Sequence, residues 1–188
     1  MSEQDLQNSA EPTLNIEALS NCVVTGPTGQ QIKLGQLWNS QTALIIFLRH
    51  FGCIACRSHA LQVWAERDKL TATGAKIVFV GNGQHTYIEK FREDLGLTGA
   101  LILTDPSLLS FQAAGFRNGF FALVQPKSVI NLVKLAVAGQ TNKPASAQTG
   151  TNWQMGGIVV VKPGGNVTYH YISEALGDYP PEYDDLEL

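Results

Sequence analysis

The sequence is short of several things. Only 15% of its 188 residues are charged, and three are cysteine, Cys22, Cys53 and Cys56. Lys and Arg number 13 against 16 Asp and Glu, for a formal net charge of −3. A general nucleic-acid binder carries a basic excess, so that class is excluded. No apolar run approaches the roughly 20 residues that a bilayer-spanning helix needs. Runs such as Ala43 to Leu48 and Ile158 to Val161 are far too short. Met1 to Pro12 is polar, with neither a basic start nor an apolar stretch, and does not read as a secretory signal. The expectation is a cytoplasmic chain without membrane contact. Three cysteines do not make a closed disulfide framework. In a reducing compartment a close pair is catalytic or metal-binding more often than structural.

What is present describes one folded unit. A hydrophobic fraction of 44% supports a core without disulfide staples. Residues 1–15 read as a tail and 16–188 as the domain. Cys22-Val-Val-Thr25 and Gln31-Ile-Lys-Leu34 flank the turn Gly26-Pro-Thr-Gly29, which predicts an N-terminal β-hairpin. Ala43-Leu-Ile-Ile-Phe-Leu48, Lys76-Ile-Val-Phe-Val80 and Ala100-Leu-Ile-Leu-Thr104 are continuous apolar runs, the pattern of strands buried on both faces. Amphipathic stretches separate them, one from Ala60 to a glycine stop at Gly74 and one from Thr86 to Gly96. Alternating strand and helix imply a right-handed parallel α/β core. A helix over Ser128 to Val137 and a loop over Ala138 to Thr151 then interrupt the rhythm. Gly157 to Lys162 and Asn166 to Ile172 around Pro163-Gly-Gly165 predict a last hairpin. Gly177 to Leu188 reads as a terminal helix.

The cysteines mark the candidate site. Phe51-Gly-Cys-Ile-Ala-Cys-Arg57 lies at the turn from the first long strand into the next helix. Two intervening residues let the sulfurs meet when the first precedes the helix and the second lies in its first turn. Unpaired amides there stabilise a thiolate and lower its pKa. Arg49, His50 and Arg57 are placed to add to that effect. Cys53, as the more exposed thiol, is the favoured nucleophile; if the reaction is peroxide reduction, Cys56 attacks instead and Cys53 resolves its sulfenic acid. Two other readings stay open. Cys53, Cys56, His50 and His59 form a conceivable zinc set, although a second cysteine pair is missing. The pair also fits as two small buried apolar side chains. Cys22 sits in a predicted strand and reads as core. Gly81-Asn-Gly83 lacks the further residues of a dinucleotide fingerprint. Of the tryptophans, Trp153 is the one expected to approach the cysteines.

Phe47-Leu-Arg-His-Phe-Gly-Cys-Ile-Ala-Cys-Arg57, Leu103-Thr-Asp-Pro-Ser107 with Ala113-Ala-Gly115, Gln154 to Gly165, and Gly177-Asp178 together resemble the peroxiredoxin-like branch of the thioredoxin superfamily. This is the alkyl-hydroperoxide-reductase/thiol-specific-antioxidant-like branch, which includes the prostamide/prostaglandin F synthases. The resemblance runs from about residue 20 onward. It implies a thioredoxin-like fold, a central mixed sheet flanked by helices, with an N-terminal hairpin and a helical and loop insertion before the last hairpin. It implies an antioxidant thiol oxidoreductase with Cys53 and Cys56 as the redox pair. Small peroxides or disulfides are the implied substrates, and a thioredoxin-like protein or glutathione the reductant. No metal or organic cofactor is required. A homodimer is one open assembly. In the peroxiredoxin pattern Pro-x-x-x-Thr-x-x-Cys, Cys56 takes the cysteine position, Arg49 the proline and Cys53 the threonine. The family's later arginine has no evident match, which leaves Arg49, Arg57 or Arg117 to substitute. A thioredoxin-like redox sensor or binding module is the alternative function.

Overall fold

The computed structural model describes residues 13–116, 146, 148–151, 153–175, 177–180, 183 and 186–188. Arg117 and the helix expected over Ser128 to Val137 lie outside the described residues. The first element is a short helix without a long apolar stripe, α1 (Ile16–Asn21). Asn15 caps it, its side-chain oxygen accepting from the Ala18 amide at 2.9 Å. The expected hairpin follows as β1 (Val23–Thr25) and β2 (Gln31–Lys33). A tight helical turn over Leu34–Trp38 leads to β3 (Ala43–Phe47).

After the cysteines come α2 (Ile54–Ala65) and α3 (Arg67–Thr71), one expected helix broken at Glu66. Then β4 (Lys76–Gly81), α4 (Ile88–Leu95), β5 (Leu101–Thr104) and α5 (Leu109–Ala113) complete the alternation. Gly96 ends α4 in the left-handed region, at φ 63°, which costs glycine nothing. The last hairpin is β6 (Gly157–Lys162) with β7 (Asn166–Ile172), at the predicted bounds.

The seven strands form one sheet in the order β2-β1-β5-β4-β3-β6-β7. β3, β4 and β5 are parallel, and β6 and β1 close onto them antiparallel. The mixed sheet therefore matches the expected thioredoxin-like arrangement. Strand periodicity splits the core in two. Leu44, Ile46, Ile77, Phe79, Ile102, Ile158 and Val160 face α2 and α4. Ala43, Ile45, Phe47, Val78, Val80, Leu103, Val159 and Val161 face α1 and α5.

The terminal helix is a correction. The described residues from Gly177 onward are turns and irregular chain. Pro180 and Pro181 are the reason, because proline removes amide donors and drives the preceding residue extended. The segment instead lays Tyr183 and Leu186 into the core on the α2 side of the sheet.

Candidate active site

β3 and the turn after it deliver the cysteines. Leu48 continues the ladder past the strand, its amide donating to Val80 O at 2.8 Å. The Cys53 amide then donates to His50 O at 3.1 Å and closes a tight turn. Cys53 caps α2 and Cys56 lies in its first turn, as expected. Phe51 anchors the turn in the core, with its ring 4.9 Å from that of Phe91. Gly81 and Gly83 make room for it, since a Cβ on either would fall within 2.8 Å of the Phe51 ring.

A buried asparagine ties the turn to its neighbours. Asn82 donates to Arg49 O at 2.6 Å and accepts from the Thr151 amide at 3.0 Å. The Phe51 amide donates to Thr149 O at 2.9 Å, and the Gln84 amide to Gln148 O at 2.9 Å. The described part of the loop expected over residues 138–151 is thus fastened against the site. Gly81-Asn-Gly83, no nucleotide fingerprint, is the clasp for this loop. Sequence reasoning missed Asn82, although a polar residue between two glycines after a buried strand was a usable signal.

All three cysteines are free thiols. Cys53 and Cys56 are 4% and 1% exposed. Their environments differ in sign. Burial pushes the Cys56 thiol up, but the Cys53 S–H, the Arg49 guanidinium, the His50 amide and the Tyr179 hydroxyl outweigh it and bring it down to about 6. Cys53 goes well above the usual thiol range, because it donates to Cys56, is buried and lies beside the Cys56 charge. The donors around Cys56 therefore favour its charged form. Of the two readings left open by the sequence, this arrangement favours Cys56, and the exposure difference that favoured Cys53 is negligible in the fold.

The other expected residues separate. Arg49 lies buried beside both sulfurs and favours their charged forms. His50 is neutral, its pKa pushed down to about 3 by burial and then by Arg49. Its Nδ1 accepts from the Gly52 amide at 3.2 Å, so it adds no positive charge. Arg57 is directed to α4, with Nη1 3.7 Å from Asp94 Oδ2 and its guanidinium 5.9 Å from the Phe91 ring centre. Trp153 is 50% exposed. Cys22 is half-buried, its thiol donating to Ala18 O at 3.2 Å. Among the described residues no group of three or more His, Cys, Asp or Glu is placed to hold a metal ion. His59, the remaining candidate of the zinc set, turns to the C-terminal segment and meets the Tyr183 hydroxyl at 2.6 Å. Tyr179, 123 positions from Cys56 in the chain, brings its hydroxyl to 3.6 Å from the Cys56 sulfur. No sequence spacing pointed to it.

Residues 62–175 match the family described as AhpC/TSA antioxidant enzyme, over more than half of the chain. The chain belongs to that family. This AhpC/TSA-family protein is accordingly a thiol-dependent oxidoreductase of the thioredoxin-like antioxidant kind. The matched segment starts six residues beyond Cys56, so the role of the cysteine pair rests on the site itself. The chain is 29% identical over 177 residues to the thioredoxin-like protein AAED1, chloroplastic, of Arabidopsis thaliana, covering 91% of this chain and 71% of that one. It is 28% identical over 180 residues to the prostamide/prostaglandin F synthase of Sus scrofa, covering 93% and 87%. A mutant of Xanthomonas campestris peroxiredoxin Q superposes with a TM-score of 0.58 at 15% identity, over 85% and 86% of the two chains. That likeness shows the fold. Among the described residues no helix is long and apolar enough to cross a membrane.

Proposed function

We propose that the AhpC/TSA-family chain uses Cys53 and Cys56 as a two-electron redox pair, with Cys56 attacking and Cys53 resolving. The observation that carries this is the ring of donors around one sulfur. The Cys53 S–H, the Arg49 charge, the His50 amide and the Tyr179 hydroxyl all favour the anion at Cys56. A thiol with a pKa near 6 is about nine-tenths thiolate at pH 7, which suits attack on a peroxide or disulfide.

With a peroxide, the Cys56 sulfur takes the terminal oxygen and the O–O bond breaks. The departing alkoxide takes up a proton and leaves as an alcohol, or as water from hydrogen peroxide. Cys56 is now a sulfenic acid. Cys53 attacks that sulfur, water leaves and the Cys53–Cys56 disulfide forms. A dithiol reductant of the thioredoxin type, or two molecules of glutathione, returns two electrons and two protons. With a disulfide substrate, Cys56 forms a mixed disulfide and Cys53 releases the second thiol, which gives the same oxidised pair.

The test mixes reduced protein with one equivalent of peroxide or of a small disulfide and follows the product by mass spectrometry. Wild type yields the Cys53–Cys56 disulfide, C53S stops at the Cys56 sulfenic acid or mixed disulfide, and C56S is inert. Oxidation that persists in C56S overturns the assignment. Turnover with a thioredoxin-type reductant separates a cycling enzyme from the alternative, a sensor that oxidises once. The near-complete burial of both sulfurs favours testing that alternative.

A further inference from the structure

The chain beyond β7 returns over the first turns of α2. Cys56 and His59 are three residues apart on that helix and so lie one above the other on one face. The Tyr179 ring stacks on the His59 ring, with centres 3.7 Å apart and planes 18° from parallel. His59 Nε2 shares a hydrogen bond with the Tyr183 hydroxyl at 2.6 Å. The Tyr183 ring meets His59 end-on through this bond, with centres 6.1 Å apart and planes 17° from parallel. The result is a chain of three linked rings, Tyr183 bonded to His59 and Tyr179 stacked on it, with the Tyr179 hydroxyl 3.6 Å from the Cys56 sulfur.

We propose that Tyr179 is a positioning residue for the Cys56 thiolate, its hydroxyl donating to the sulfur while the His59–Tyr183 pair fixes the ring that carries it. The inference rests on the assignment of Cys56 as the attacking group.

Chemistry and geometry agree on the direction of the hydrogen bond. Burial and then the charge on Cys56 hold the Tyr179 pKa well above its ordinary value, so the hydroxyl keeps its proton and donates. Burial holds His59 neutral, near 3, so the ring beneath Tyr179 supports it without adding charge. Among the described residues, the groups that act on the Cys56 charge are Cys53, Arg49, His50 and Tyr179. Of these, Arg49 supplies full positive charge, and Cys53 and Tyr179 supply side-chain donors. A phenylalanine would fill the same space against His59, so packing alone does not require the hydroxyl.

The test titrates the thiolate by its ultraviolet absorbance in the reduced full-length protein. It compares wild type, C56S, Y179F, Y183F and the Y179F/Y183F double variant. Wild type shows a low transition that C56S lacks. Y179F moves that transition up by about one pH unit, the size expected for one hydrogen bond to a charged acceptor. Thiolate at pH 6 then falls about fivefold. Y183F, which frees His59, moves it by less, and the double variant moves no further than Y179F. A transition unmoved in Y179F, still abolished in C56S, overturns the role of Tyr179 and leaves Cys56 as the nucleophile. A wild-type transition that survives in C56S instead overturns the Cys56 assignment and the inference with it. Should Y179F lose its cooperative melt, Y183F carries the test, and an unmoved transition there overturns the proposal.

Discussion

Replacing Arg49 with methionine removes one buried positive charge and keeps most of the side-chain volume. Arg49 favours the charged form of both sulfurs, yet only Cys56 ends below its ordinary value. A close charge of opposite sign lowers the pKa of an acid by about one to three units, so its removal is worth about two. The Cys56 pKa then rises from about 6 to about 8 in R49M. At pH 7 its thiolate fraction drops from about nine-tenths to about one-tenth, so the rate of its first oxidation falls about tenfold. Above about pH 9 both proteins are ionised and the difference closes. R49K, which keeps a charge in place, retains most of the low midpoint. The assay is the pH dependence of the second-order rate of oxidation by a small peroxide or disulfide, under single-turnover conditions. A loss of equal size at every pH, or an unmoved midpoint, refutes the electrostatic reasoning. The first result assigns Arg49 to substrate contact, and the second shows that its charge does not reach the sulfur.

Three further outcomes follow from the same geometry. N82A removes the donor to Arg49 O and the acceptor for the Thr151 amide, which costs about 2 kcal/mol and lowers the melting temperature by about 4–8 °C; an unchanged melt refutes the clasp. G156A places a Cβ about 2 Å from Phe47 O, backbone that cannot swing aside, so the variant is destabilised by at least 2–3 kcal/mol in urea unfolding (order of magnitude). His50 and His59 have folded pKa values pushed from 6.5 down to about 3. Their stabilisation is therefore full above pH 6.5 and is lost as pH falls towards about 3, about 2 kcal/mol from each by pH 5. Cys56 acts in the same direction, its share falling away as pH drops from about 9 through about 6. Urea midpoints that stay level from about pH 7 to about pH 5 would sink that account.

Much of the fold was legible because it is written in short-range patterns. Ala43 to Leu48, Lys76 to Val80 and the hairpin around Pro163-Gly-Gly165 declare buried strands and a turn within a few residues each. The cysteine pair was legible for the same reason, since Cys53 and Cys56 lie within one turn of α2. Contacts between distant segments were not. Tyr179 reaches Cys56 across 123 positions, and Asn82 binds Thr151 across 69. An acidic C-terminal run suggested a helix, yet Pro180 breaks one, and Tyr179 and Tyr183 lie against His59 of α2. Which sulfur carries the charge was also closed to the sequence. Two residues of spacing place both thiols at one helix end, and only the side chains arriving from β3 and from the C-terminal segment break the tie.

That asymmetry orders the proposed cycle in time. In the reduced state Cys53 is kept protonated chiefly by its bond to Cys56, then by burial, then by the charge beside it. A protonated thiol is a poor nucleophile, so Cys53 does not compete for the substrate. Oxidation of Cys56 removes the anion, and with it the first and third of those causes. Arg49, which lowers the Cys53 pKa in the reduced state, is then left beside a single ionisable thiol. Cys53 loses its proton more easily once the sulfur it must attack has become electrophilic. The same sulfur thus serves first as the hydrogen-bond donor that charges its partner and then as the nucleophile that resolves it. A serine at position 53 can imitate the first role but not the second. C53S therefore keeps a fast first oxidation, moved by no more than the difference between a hydroxyl and a thiol donor, and fails to form the intramolecular disulfide. If C53S lost the first step altogether, Cys53 rather than Cys56 would be the group that meets the substrate.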